Sequence, residues 1–137
     1  MTDQLEQLAK PFPPSLIERK PGKAGGDYVK HSVVAEKLLA TVGPYDFRVV
    51  REIRDADTSQ IVGVIAELTC TIDGRATTIA EAGDCENPAN WPHDGARLKN
   101  AASDAFKRCA MRIGCGLHLW SQDAYRLPRA LTKDTPA

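Results

Sequence analysis

The stretch from Ile61 to Ile72 constrains the fold more than any other part of this chain. Val62, Val64, Ala66, Leu68, Cys70 and Ile72 recur at every second position, opposite Gly63, Glu67, Thr69 and Thr71. Successive side chains on a strand point to opposite faces, so this alternation predicts a long strand with one apolar face. Asp73-Gly74 follows at once. That pair is preferred in two-residue type I′ turns, where both central residues need a positive φ, so Arg75 to about Gly83 is predicted to fold straight back as an antiparallel partner. Upstream, Phe47, Val49 and Ile53 alternate with Arg48, Glu52 and Arg54, and Asp55 to Ser59 reads as a turn. The middle of the chain is therefore a three-stranded antiparallel meander.

Helical patterns flank it. Thr2 or Asp3 with Glu6 resembles a capping box, and Leu5, Leu8 and Ala9 follow at helical spacing. A first helix is predicted to about Lys10, where Pro11, Pro13 and Pro14 stop it. From Glu18 to Asp27, Arg19, Lys20 and Lys23 stand beside Gly22, Gly25 and Gly26. That composition predicts a mobile basic loop with no packed element. Val34, Leu38, Leu39 and Val42 predict a second helix from about Lys30, ended by Gly43 and Pro44. Asp84 to Asp94 contains Asn87-Pro88 and Trp91-Pro92 and reads as an irregular connection without packed structure. A long Ala-rich helix is predicted from Ala96 to about Ile113, closed by Gly114, with a short segment after it. The fold class is α+β, the meander packed by the long helix. Residues 1–131 form one domain in this reading, and 132–137 a disordered tail.

Length and composition fit one domain: 137 residues, 42% hydrophobic and 26% charged. No run of some twenty apolar residues is present. Met1 to Lys10 carries Asp3 and Glu6 where a secretory signal needs basic and then apolar residues, so the expectation is a cytoplasmic protein without a membrane role. The four cysteines, Cys70, Cys85, Cys109 and Cys115, are expected to stay reduced, since a chain this long buries a core without staples. The formal net charge is zero, but it is unevenly distributed: residues 1–96 hold 10 Lys and Arg against 15 Asp and Glu, and residues 97–137 hold 8 against 3. Such asymmetry predicts a local basic surface on a neutral body.

The long helix concentrates that charge. At roughly 100° per residue, Leu98, Ala102, Ala105, Phe106, Cys109 and Ile113 form one stripe, predicted to bury against the sheet. Arg97, Arg108 and Arg112 project within another narrow arc, with Lys107 at its margin and Asp104 as the acid among them. Cations so spaced suit neighbouring phosphates. The competing reading is an ordinary solvated face with an Asp104–Arg108 pair of small energetic weight.

Several of these pieces stand in a meaningful order. Gly25-Gly26-Asp27-Tyr28-Val29-Lys30-His31 precedes a helix, and then come Val62-Gly63-Val64, the hairpin around Ile72-Asp73-Gly74 and Ala82-Gly83. Lys99, Asp104-Ala105-Phe106-Lys107-Arg108 and Ala110 follow, leading to Gly114. Over about residues 8 to 120 this order resembles the Rad fifty-two family of single-strand annealing proteins, in the short form known from phages and bacteria. The resemblance implies a β-β-β-α core in head-to-tail rings, with single-stranded DNA gripped by its backbone in a basic groove and its complement annealed without ATP. It implies recombination or repair in a bacterial or phage-infected cell, no enzymatic step and no cofactor, and a single-strand-binding protein or recombinase as the class of protein partner. By matching motif, Lys107 and Arg108 fall on the family's basic pair, Tyr28 on an aromatic in the groove and Lys99 on an earlier basic position. Arg19, Lys20 or Lys23 stands for an arginine of the basic loop. Arg112 lies one residue from the family's next arginine, with Met111 at the matching place, yet its angle faces it toward Arg108. Ser59 and Gln60 stand where some members carry a lysine for a second, outer DNA site.

Other groupings compete less well. Cys109, Cys115 and His118 with Cys85 or His93 make a zinc set on paper, but the spacing is not a usual ligand pair, and Cys70 and Cys109 read as small buried hydrophobes. Asp84, Glu86 and Asp94 read as solvated loop acids rather than a metal site. His31 reads as a helix-start residue, with a phosphate contact as the alternative. Trp91 and Trp120 read as packing residues, with base stacking as the alternative. The remaining functional alternatives are an RNA-binding or structural α+β module and a small metal-dependent enzyme. No phosphate loop, zinc-protease helix or nucleophile elbow is present.

Overall fold

The computed structural model describes residues 3–19, 26–121 and 124–133. The meander is present as β3 (Asp46–Arg54), β4 (Ile61–Ile72) and β5 (Arg75–Asp84), hydrogen-bonded in that order. Asp73 and Gly74 both have positive φ, 51° and 80°, as a type I′ turn demands. The turn fixes the register, from Ile72 opposite Arg75 to Gly63 opposite Asp84. β3 pairs with β4 from Asp46–Thr69 to Arg54–Ile61, with an extra residue accommodated between Val49 and Arg51. On β4, Val64, Ala66, Leu68, Cys70 and Ile72 are buried on one face, as the alternation predicts.

The long helix α3 (Asp94–Arg112) lies across that face. Its buried residues are Arg97, Ala101, Ala105, Phe106, Cys109 and Ala110, while Leu98 and Ala102 are only half-buried. Ala105, Phe106, Cys109 and Ile113 of the predicted stripe are buried, so the buried face is wider than predicted, and Gly83 explains why Ala101 joins it. A β-carbon there would sit 2.2 Å from the Ala101 carbonyl oxygen and 2.5 Å from the Ala105 nitrogen. Helix backbone rests directly on strand backbone, which only the small side chains at 101 and 105 allow.

Two helices complete the front of the chain, α1 (Asp3–Ala9) and α2 (His31–Val42). Gln4 donates its backbone N–H to Asp73 Oδ1 and accepts the Asp73 N–H on its side chain, tying α1 to the hairpin turn. Leu8, Phe12, Val29, Val34 and Leu38 join Leu68, Cys70, Ile72, Phe106, Cys109 and Cys115 in the main core. Val64, Ala66, Cys85, Ala101 and Ala105 form a smaller one. All four cysteines are buried and unbridged. No helix among the described residues is long and apolar enough to cross a membrane.

Three expectations are corrected. The ends of the basic stretch are not loop: β1 (Glu18–Arg19) pairs with β2 (Asp27–Tyr28) as a small antiparallel ribbon. Residues 20–25, including Lys20 and Lys23, lie outside the described residues. The 84–94 connection is packed rather than irregular. Cys85 is buried, a 3-10 turn spans Pro88–Asn90, and Arg97 from α3 donates to the carbonyls of Pro88 at 2.8 Å and Trp91 at 2.8 Å. Local composition could not show a clamp supplied from the next helix. Asp94 is not a free loop acid either. It accepts from Arg54 at 2.9 Å, from Arg97 at 2.9 Å and from the Ile61 N–H at 3.3 Å, and the hydrogen bond from Arg54, ahead of the others, holds its carboxyl below the usual range. After Gly114 come two further helices, α4 (Leu117–Ser121) and α5 (Leu127–Lys133).

Candidate nucleic-acid interface

The β1–β2 ribbon and the start of α2 stand beside the middle of α3, and α4 folds back next to them. Between them runs a groove of about 320 Å³, lined by Tyr28, Asp104, Lys107, Arg108 and Trp120 among others. Lys107 and Arg108 are consecutive, so they diverge by about 100° around the helix. Each meets a different aromatic ring. Lys107 Nζ lies 5.7 Å from the centre of the Tyr28 ring, and Arg108 Cζ lies 4.9 Å from that of Trp120. Both distances fall within cation–π reach.

Arg108 is held in place. Its Nε donates to Asp104 Oδ2 at 3.0 Å, and that oxygen also accepts the Asp84 N–H at 2.9 Å, so the end of β5 fixes the carboxylate that fixes the guanidinium. Asp27 and Glu86 also line the groove, which leaves its charge mixed rather than purely basic. On the α2 side, His31 stacks on Phe106 with centroids 4.5 Å apart, and its Nδ1 lies 3.0 Å from Ser103 Oγ. Burial and then the nearby Lys107 push the imidazole below its usual range. Lys99, Ser103 and Lys107 recur at four-residue intervals on α3, with exposed Lys99 about 12 Å from Lys107 along the axis. Alternating cations and aromatic rings can hold phosphates and bases respectively.

The chain matches, over residues 1–135, the family described as Rad52/22 family double-strand break repair protein. It belongs to the Rad52/22 family. A curated relative, the single-stranded DNA-binding protein DdrA of Deinococcus deserti, is 30% identical over 121 residues, which are 88% of this chain and 58% of DdrA. This Rad52/22 chain therefore spans less than two thirds of that relative's length.

Of the positions that the sequence points to, this Rad52/22 chain brings Tyr28, Lys107 and Arg108 into one groove and leaves Lys99 exposed two turns earlier. Arg97 is a correction. It is 7% exposed, and its guanidinium is taken up by Asp94 and two loop carbonyls. Arg112 is another, since it pairs with Glu81 on β5 at 3.2 Å and faces a separate cleft near Leu5 and Arg75 instead of meeting Arg108 in the groove. The angular projection that grouped these arginines discards position along the axis, and about 16 Å of rise separates Arg97 from Arg108. Arg19 is exposed, pairs with Asp27 at 3.7 Å and lies outside the groove lining. His93, from the paper zinc set, caps α3 by accepting the Ala96 N–H. Among the described residues no three His, Cys, Asp or Glu side chains are placed to share a metal ion. The groove is also lined by Trp120, read from sequence as a packing residue with base stacking as the alternative, and by Asp104, whose reading as the counter-ion of Arg108 is borne out by the 3.0 Å pair. The available signal for Trp120 was its neighbour Leu119, because consecutive residues of a helix diverge by about 100° and one that faces the core turns the next away.

Proposed function

We propose that this chain binds single-stranded DNA with little sequence preference through the groove between α3, the β1–β2 ribbon and α4, and anneals complementary strands as an oligomeric ring. One observation carries the reading: Lys107 and Arg108 stand in one groove, each against its own aromatic ring. Membership of the Rad52/22 family and the likeness to a single-stranded DNA-binding protein support it. Cations neutralise phosphates without reading sequence, and aromatic rings accept any base, so the grip is sequence-tolerant. Annealing on such a surface makes and breaks no covalent bond and needs no ATP. Tyr28, Lys107 and Arg108 are the principal contacts in this proposal, with Lys99 as an outlying one and residues 1–131 acting as one domain. A single-strand-binding protein or recombinase is the class of protein partner.

The test is equilibrium binding of an oligo-dT strand across a salt series, with strand annealing and light scattering in parallel. Replacing Lys107 and Arg108 with Ala is expected to weaken binding, flatten the salt dependence by about 0.7 per lost phosphate contact and slow annealing. Unchanged affinity and slope would overturn the proposal. Stronger competition by single-stranded RNA than by DNA would redirect it to an RNA-binding module, and a strictly monomeric protein would remove the ring.

A further inference from the structure

We infer that Trp120 is a base-stacking platform, so that the groove grips DNA by a nucleobase as well as by its phosphates. The inference rests on the single-stranded DNA reading and deepens it, by naming the ring on which a base is stacked.

Trp120 is 47% exposed, although the short helix that carries it is well anchored. Leu119 packs on the main core, and His118 accepts the Phe12 N–H on Nε2 at 3.0 Å while its ring lies 5.7 Å from Phe12 and 5.9 Å from Tyr125. The indole is therefore presented by a fixed support. Trp91, the other tryptophan, is 36% exposed and is tied down through its N–H to the Glu86 carbonyl at 3.1 Å. Trp120 lines the groove with Tyr28, and the guanidinium of Arg108 beside it is oriented through Asp104 by the Asp84 backbone. The result is two ring-and-cation pairs, Tyr28 with Lys107 and Trp120 with Arg108, built on consecutive residues of one helix. A nucleotide repeats the same two chemistries, a flat base and an anionic phosphate. A base laid on the exposed indole would place its phosphate next to a cation already held in position.

The deciding comparison is between an oligo-dT strand and an abasic strand of equal length, which carries the same phosphates but no bases. Trp120→Ala is expected to weaken oligo-dT binding about 5- to 150-fold, the usual cost of losing one stacked base. It should leave the salt slope and the affinity for the abasic strand at wild-type values. Trp120→Phe keeps a ring and should recover most of the loss, which guards against a folding defect. In a Trp91→Phe background, oligo-dT should quench the remaining indole fluorescence and the abasic strand should not. Equal loss on both strands, or loss accompanied by a change in particle size in light scattering, would assign Trp120 to a contact between copies of the chain and overturn the inference. Wild-type behaviour of Trp120→Ala without quenching would also overturn it, and the DNA reading would stand provided Lys107→Ala still weakened binding. If the wild-type protein bound neither strand, both would fall.

Discussion

Arg97 and Arg108 carry the same guanidinium eleven residues apart on one helix, and their surroundings divide them. Arg97 closes the 84–94 connection over α3 and is nearly sealed from solvent, whereas Arg108 lies half-exposed against an indole at the edge of a groove. Histidines show a similar dependence on setting. His118 accepts the Phe12 N–H on Nε2, which only the neutral ring can do, and burial, followed by the charge of Lys37, lowers its pKa. His31 is lowered as well, by burial and then by Lys107. An unfolded histidine titrates at about 6.5, above these folded values, so the unfolded chain takes up protons first as pH falls. Stability attached to the neutral rings is thus complete above that range and is lost as the pH drops through it toward the lower folded values. Urea unfolding followed from about pH 7.5 to pH 5 should show a declining midpoint. His118→Gln, whose side-chain oxygen accepts the same N–H without titrating, should flatten the decline. An identical pH profile in that variant would show that the Phe12 hydrogen bond is not its source.

At the scale of elements, the contact between α3 and β5 depends on the missing side chain at Gly83. An added β-carbon would meet backbone atoms and the Ala105 methyl at 2.2 to 2.7 Å, not the flexible end of a side chain, so α3 would have to lift from the sheet. Gly83→Ala is expected to cost about 1–3 kcal/mol, the usual range for overpacking, and to lower the urea midpoint with little change in slope. A wild-type midpoint would mean that the helix yields freely. This contact also shows how far sequence reading reaches. The meander was legible because period-two burial and the Asp73-Gly74 turn are local properties, and α2 and α3 because helical spacing and terminal glycines are local too. Gly83 read only as a strand end, since its partners Ala101 and Ala105 are some twenty residues away. The β1–β2 ribbon escaped notice because strands of two residues leave no period to detect. In the candidate site, Lys107, Arg108 and Tyr28 were found by ordered motif. Placing Arg97 and Arg112 needed their partners, the carbonyls of the 84–94 connection and Glu81, which a helical projection does not show.

For the molecule as a whole, a net charge of zero means that association with a polyanion must rely on local geometry, and the mixed lining of the groove supports that view. The same economy of surface extends to the thiols. Burial pushes Cys109 and Cys115 up to about 11, so almost no thiolate exists in the native state at neutral pH. Alkylation must then wait for the chain to open. Cys85 belongs to the smaller cluster with Ala101 and Ala105, whereas Cys70, Cys109 and Cys115 belong to the main core. A timed iodoacetamide reaction read by mass spectrometry should modify Cys85 first and the other three together at the rate of global opening, whereas one common rate for all four would mean that both clusters open as a single unit. Without any introduced label, the four sulfurs would thus report which part of the protein comes apart first.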